Sequence, residues 1–375
     1  MNKKWLAAFA AVMALAFMGC KAEKIPSYLI VNGTTLVSYT DELPANLVIP
    51  KGITKIAGGA FAECDWLKSV TIPGGVKVIG EDVIDDNITF EELNAMDDID
   101  EEDVCVFYNC TSLKNVTIEN GVKAIGDCAF MDCTSLVSVT IPKSVKSIGA
   151  IAFGGCESLK SVTIENGVKT IGVGTFVGCE SLKNITIPNS VTKIGLIAFS
   201  GCSSLASVTI PKSVKTIGIG AFMYCESLKN VTIEDGVREI GGAAFYNCES
   251  LASVTIPSSV TTIGNGAFLG CTSLENVTIP NSVTEISTQA FGDCISLESV
   301  TIPNSVTRIG YGVFWGCESL ESVSIPNSVT EIGGMTFKYC SPRLKIQYDG
   351  TKKQWEAIGG DDAVSDGTVL CKDGN

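Results

Sequence analysis

The sequence predicts a repeat solenoid. It would be a right-handed superhelix of about twelve 23-residue coils, with a parallel β-sheet along one face and short turns or helical segments on the other. Three observations carry this. Eleven cysteines from Cys110 to Cys340 follow one another every 23 residues without exception, and Cys64 lies two periods upstream. A phenylalanine column with twelve members, from Phe61 and Phe107 to Phe337, runs three residues ahead of the cysteines. Finally, the apolar residues of one coil are too few to bury themselves, so neighbouring coils must stack.

In chain order, Lys3 and Lys4 precede an apolar run from Trp5 to Met18 and then Gly19-Cys20. A basic start followed by a short apolar stretch reads as an export signal over residues 1–19, too short for a confident membrane span. The small residue before Cys20 resembles a bacterial lipobox, which makes Cys20 the expected lipid attachment point and residues 20–27 a linker. Phe17 stands where such a motif usually has leucine. Residues 28–45 read as a capping hairpin, because Asn32-Gly33 between two apolar runs is a strong two-residue turn signal.

The solenoid is expected over residues 46–345, and the coil from Cys179 to Cys202 shows its parts. Ile185-Thr186-Ile187 alternates apolar and polar with β-branched residues throughout, so it reads as a short strand. Pro188 ends it, having no N–H to give to a ladder. Val191 and Ile194 form a second apolar pair, Gly195 marks a turn, and Ala198-Phe199 re-enter the core. Residues 346–375 read as a closing cap.

The string Ala-Phe-x-x-Cys-x-Ser-Leu-x-x-Val-Thr-Ile-Pro-x-Ser-Val-x-x-Ile-Gly resembles the BspA-like leucine-rich repeats of bacterial surface proteins, over roughly residues 28 to 375. Tyr28 to Tyr39 is similar to that family's opening hairpin, and Tyr348 to Trp355 with Thr368 to Cys371 resembles its closing cap. The resemblance implies an α/β solenoid of leucine-rich-repeat type, displayed on the cell surface and binding proteins of the extracellular matrix or of other cells. It leaves the ligand unnamed.

Sixteen cysteines in an exported chain would ordinarily suggest a disulfide framework. Here the register opposes one. Residues of one column lie about one strand spacing (~4.8 Å) apart, whereas a bridge wants Cβ atoms about 3.8 Å apart. The column is therefore read as free thiols acting as small buried hydrophobes. Cys105 and Cys128 stand off the column at equivalent places on adjacent coils, and a bridge between them stays open as an alternative.

The net charge of −14 comes mostly from one segment. Between Gly80 and Phe107 the chain is 23 residues longer than a standard repeat, and the excess, about 81–103, holds twelve acids and no base. The remainder has 27 bases and 29 acids, so it offers no concentrated cation field for nucleic acid. The sequence contains no histidine, which removes the usual general base and the commonest metal ligand. No cofactor, catalytic residue or enzyme activity is expected. Within the insert, Asp85 to Leu93 resembles the second half of an EF-hand loop, but Val83 and Asp86 would occupy a ligand and the turn-glycine position. A short helix capped at Thr89 is the preferred reading.

Positions that vary among otherwise regular repeats are the informative ones. The strand's Ser/Asn and Thr positions, such as Thr163, Thr186 and Thr209, should form a polar outer face that is either merely soluble or a glycan or peptide groove. The column after the leucine changes from Lys68, Lys114, Lys160, Lys183 and Lys229 to Glu275, Glu298 and Glu321. The flank around Ala-Phe carries Leu196, Ile219, Met223, Tyr224, Tyr246, Leu269, Tyr311, Trp315 and Tyr339, the candidate partner-binding residues, with Ile197 and Met335 beside them. Tyr, Trp and Met are enriched at protein interfaces. The sequence thus points to a lipid-anchored surface protein that binds a protein partner, contacting the membrane only through its lipid. The alternatives are a structural or antigenic envelope protein without a dedicated ligand, and a glycan-binding module.

Overall fold

The computed structural model describes residues 25–40, 43–81, 84, 105–365 and 367–374. The signal segment, Cys20, most of the linker and nearly all of the acidic insert, including the EF-hand-like stretch, lie outside them. The chain divides into two compact units, Met1–Cys179 and Glu180–Asn375.

Each unit is a stretch of parallel β-solenoid, and together they carry about 14 turns of about 23 residues. The count exceeds the expected twelve because the Phe and Cys columns mark complete Ala-Phe turns. The strands Lys345–Tyr348 and Thr368–Leu370 continue the stack without one. In the first unit a broad sheet runs from Asn46–Val48 through Ser69–Ile72, Asn115–Ile118 and Ser138–Ile141 to Ser161–Ile164. Its residues are paired with like residues, as in Val162↔Val139 and Ile164↔Ile141. Ser69–Ile72 pairs in full register with Asn115–Ile118 although the insert intervenes. The coils before and after the insert are therefore direct neighbours.

The Val-x-x-Ile segments also pair. Their second halves form a narrow sheet of two-residue strands, for example Thr216–Ile217 against Lys193–Ile194 and Glu239–Ile240 in the second unit. The hairpin Leu29–Asn32/Thr35–Tyr39 covers the first-unit end of that sheet by pairing Leu36 with Ile56. No helix forms in the Ala-Phe segment of any described coil, contrary to the helical segments allowed for above. Two residues of each regular turn hold positive φ, as at Ile197 (46°) and Gly201 (72°), and a right-handed helix cannot run through them.

Inward positions are uniform. In the second unit Phe222, Phe245, Phe268, Phe291, Phe314 and Phe337 stack with centroids 5.3–5.8 Å apart and planes within 10°. The first unit repeats this from Phe61 to Phe176 at 5.0–5.6 Å. The spacing is that of neighbouring strands slightly expanded, so one ring per coil fills the interior continuously. At the C-terminal end two short helices, α1 (Lys352–Ala357) and α2 (Gly360–Ala363), take the place of a further turn. The Ile332 N–H donates to the Ile358 carbonyl and the Phe337 N–H to that of Ala363, so α1 and α2 continue the coil-to-coil bonding. Thr351 and Gln354 form a capping box at α1, and Trp355 is buried 5.4 Å from the Tyr348 ring.

Candidate partner-binding site

The turn around Ala-Phe is built by backbone bonds between coils. The Gly220 N–H donates to the Gly242 carbonyl, that of Phe222 to Ala244 and that of Tyr224 to Tyr246, each at 2.8 Å. This ladder fixes which side chains turn outwards: the residue after the phenylalanine, and the residue before the cysteine.

Cysteine closes the turn from inside. The Cys248 thiol donates to the Phe222 carbonyl of the preceding coil at 3.2 Å, and the same bond recurs from Cys271 to Phe245 and from Cys317 to Phe291. That carbonyl also accepts the Cys225 N–H of its own coil, so both of its lone pairs are used. A small apolar side chain with one weak donor suits the place. Burial pushes the Cys271 and Cys340 thiols up to about 12, which leaves them protonated and unreactive at neutral pH. All described cysteines are thiols. Cys105 and Cys128 are both buried on adjacent parallel turns, where a coil spacing of about 4.8 Å opposes a bridge.

The second unit carries the apolar strip. Met223, Tyr246, Leu269 and Trp315 follow their phenylalanines and are half-buried. Gly292 occupies the same column between Leu269 and Trp315, and Leu269 Cδ1 leans to within 2.8 Å of where a Cβ of that glycine would lie. Beside this column Ile219 is 53%, Tyr224 42%, Tyr311 47% and Tyr339 58% exposed. Leu196 departs from expectation. It is buried, like Ala150 and Val173 at the same place in their coils, so it fills space under the turn and presents no docking surface.

The exposed rings are ordered by one another. Tyr224 and Tyr246 meet edge to face at 5.3 Å and 88°, and Trp315 and Tyr339 do so at 5.7 Å and 81°. The Tyr311 hydroxyl donates to Met335 Sδ at 2.7 Å, and Lys338 Nζ lies 5.1 Å from the Tyr339 ring centre. Burial raises the Tyr246 hydroxyl pKa, with Tyr224 and the Asp293 carboxylate adding to the rise. Asp293 is itself raised, by burial and then by Glu318.

The backbone under two of these tyrosines is unusual. The position before the column cysteine is left-handed, and glycine, asparagine or aspartate fills most coils, as at Gly201, Asn247, Gly270, Asp293 and Gly316. Tyr224 (φ 58°) and Tyr339 (φ 61°) hold the same conformation with bulky side chains, as does Glu63 in the first unit. Such a residue is strained by roughly 1–2 kcal/mol.

Asp127 escaped the sequence reading. It is buried, and its carboxylate accepts the Ala150 and Ile84 N–H groups, both at 2.6 Å, tying the insert's first residues to the stack. The signal was available: an acid stands where neighbouring coils have Ala150 and Val173. Among the described residues no group of three or more His, Cys, Asp or Glu side chains could hold a metal ion.

Two parallel sheets on stacked coils of about 23 residues, with a leucine, a phenylalanine and a cysteine column inside, define a leucine-rich-repeat solenoid. The family profile described as BspA type leucine rich repeat region (6 copies) matches residues 38–159, 102–229, 146–271 and 215–343, and the chain belongs to that family. It is similar to a leucine rich cell surface protein of Faecalibacterium prausnitzii A2-165, at 34% identity over 93% of this chain and 99% of that one, with a TM-score of 0.52. It is also similar to a leucine-rich repeat protein of Bacteroides ovatus ATCC 8483, at 28% identity over 87% of this chain and 83% of the other, with a TM-score of 0.61. No curated protein matches the chain.

Proposed function

We propose that this chain is an exported, surface-displayed protein without enzymatic activity, held to the envelope by lipid on Cys20, and that it binds a protein of the matrix or of another cell. The docking surface is the strip of Met223, Tyr246, Leu269 and Trp315, with Ile219, Tyr224, Tyr311 and Tyr339 at its sides. Its carrying observation is the pair of edge-to-face ring contacts, Tyr224–Tyr246 and Trp315–Tyr339, each joining an exposed tyrosine to a half-buried ring, in columns that hold glycine in other coils, as at Gly292 and Gly316. Rings that order one another before binding lose little side-chain freedom when a partner covers them, and buried Tyr and Trp anchors contribute about 2 kcal/mol or more each. The cell-surface description of the F. prausnitzii relative supports the location. Repetition along the strip lets weak contacts add wherever a partner's own spacing matches.

Two variants of the mature protein test the site against partners recovered from a screen of matrix proteins and bacterial surfaces. Tyr246→Ser with Trp315→Ser should weaken binding at least tenfold, about 1.4 kcal/mol. Removing residues 81–103 should leave it unchanged, because exposed acids contribute little net energy. Loss in the deletion alone would move the site to the insert. A folded double variant that keeps full affinity for every partner would favour an envelope scaffold. For the anchor, Cys20→Ala should abolish metabolic lipid labelling; labelling that persists would refute the attachment point.

A further inference from the structure

The broad sheet of the second unit does not pair evenly. From Ser207–Ile210 to Asn230–Ile233 four residue pairs hold the strands together. Between Asn276–Thr278 and Ser299–Thr301 only Asn276↔Ser299 remains, while both strands keep three pairs to their other neighbours. Val277 is half-exposed, whereas Val254, Val300 and Val323 in the same column are buried; in the first unit, where Asn115↔Ser138 is likewise the single pair between its strands, Val116 stays buried. Where the ladder parts, a cleft of about 570 Å³ opens, spanning strands from Asn276–Thr278 to Ser322–Ile325 and reaching Asp349. That volume lies in the range of small-molecule sites, about 300–1,000 Å³.

We propose that this cleft is a second binding site and that it takes a neutral saccharide. Its polar lining is made of hydroxyls and amides, Thr278, Thr301, Ser324, Asn281 and Asn304, with the Asp349 carboxylate at one end. Threonine and serine both donate and accept, asparagine offers two donors and an acceptor, and a carboxylate accepts from two hydroxyls at once. This is the complement of a polyol, each of whose hydroxyls also donates and accepts. The exposed flank of Val277 supplies an apolar patch for a sugar ring's C–H face. No Lys or Arg lines the cleft, so phosphate, sulfate and nucleotide ligands lack a counter-charge. An extended peptide fits poorly. Strand addition needs an open edge, and here Asn276↔Ser299 holds the two strands one spacing apart.

Calorimetric titration of the mature protein with neutral trisaccharides of glucose, galactose and N-acetylglucosamine, and with a sulfated trisaccharide and an unstructured peptide, tests the site. At least one neutral trisaccharide should bind at about millimolar Kd or tighter. Thr301→Leu fills the cleft and should weaken binding at least tenfold. Asp349→Ala should do so to a similar extent. Both residues are exposed, and an unchanged thermal transition verifies folding. Thr209→Leu, at the same column in a fully paired coil, should retain binding, as should the Tyr246→Ser/Trp315→Ser variant, which keeps this site separate from the protein-docking strip. The proposal is overturned if no neutral trisaccharide binds, if Thr209→Leu weakens binding as much as Thr301→Leu, or if only the sulfated sugar or the peptide binds.

Discussion

Phe222 and Met223 are neighbours in sequence and obey opposite rules. The first belongs to a column of identical rings with no exposure, each packed on the ring before and the ring after. The second belongs to a column that reads Met223, Tyr246, Leu269, Gly292 and Trp315 on successive coils. Stacking explains the contrast. An inward side chain must suit two neighbours that were themselves selected for the same place, so any change of size is felt on both sides. An outward one meets mostly solvent, and the fold accepts glycine there as readily as tryptophan. Bulky rings on the outer column therefore need a reason other than folding, and the proposed partner binding would supply one.

The largest effect that could break this comparison is on the inner column. Phe222→Ala should cost about 3–5 kcal/mol, the usual result of emptying a large buried site. Because each coil bonds only to its neighbours, the loss should be local. Amide exchange should quicken across the coils of Phe199 and Phe245 and fade towards α1. A uniform rise throughout the second unit would mean that the stack unfolds as one body, and the independence of its columns would be lost.

The inner rule was legible in the sequence and the outer one only partly. A period of 23 with a fixed Phe-to-Cys offset leaves stacking as the sole way to bury those residues, and the thiol ladder follows from the register. The narrow sheet was not legible. Two-residue strands such as Thr216–Ile217 are shorter than any alternation can signal, and only the next coil makes them strands. Variation among repeats served as a proxy for exposure, which failed at Leu196, because buried Ala150 and Val173 vary at the same place. The saccharide cleft was invisible, since the coils on either side of the parted ladder have nearly the same sequence as the paired ones. The left-handed tyrosines could have been suspected. Their column otherwise holds glycine, asparagine or aspartate in most coils, the residues that tolerate positive φ, and Tyr224 and Tyr339 stand out in it.

That column gives the smallest effect and the sharpest discrimination. Tyr224→Gly removes a whole aromatic side chain, yet three terms nearly cancel. Relief of left-handed strain returns about 1–2 kcal/mol. The extra chain freedom of glycine in the unfolded state costs about 0.5–1 kcal/mol, and loss of the edge contact with Tyr246 about 0.5–1.5 kcal/mol. Stability by denaturant titration should therefore change by less than about 1 kcal/mol, a small fraction of the Phe222→Ala cost two residues away. Partner affinity should fall, because Tyr224 is exposed and orders the Tyr246 ring. A stability loss above about 2 kcal/mol would show that the tyrosine packs as a core residue despite its exposure. The strain would then be a by-product of packing, and the outer column would have no claim to function that the inner one lacks.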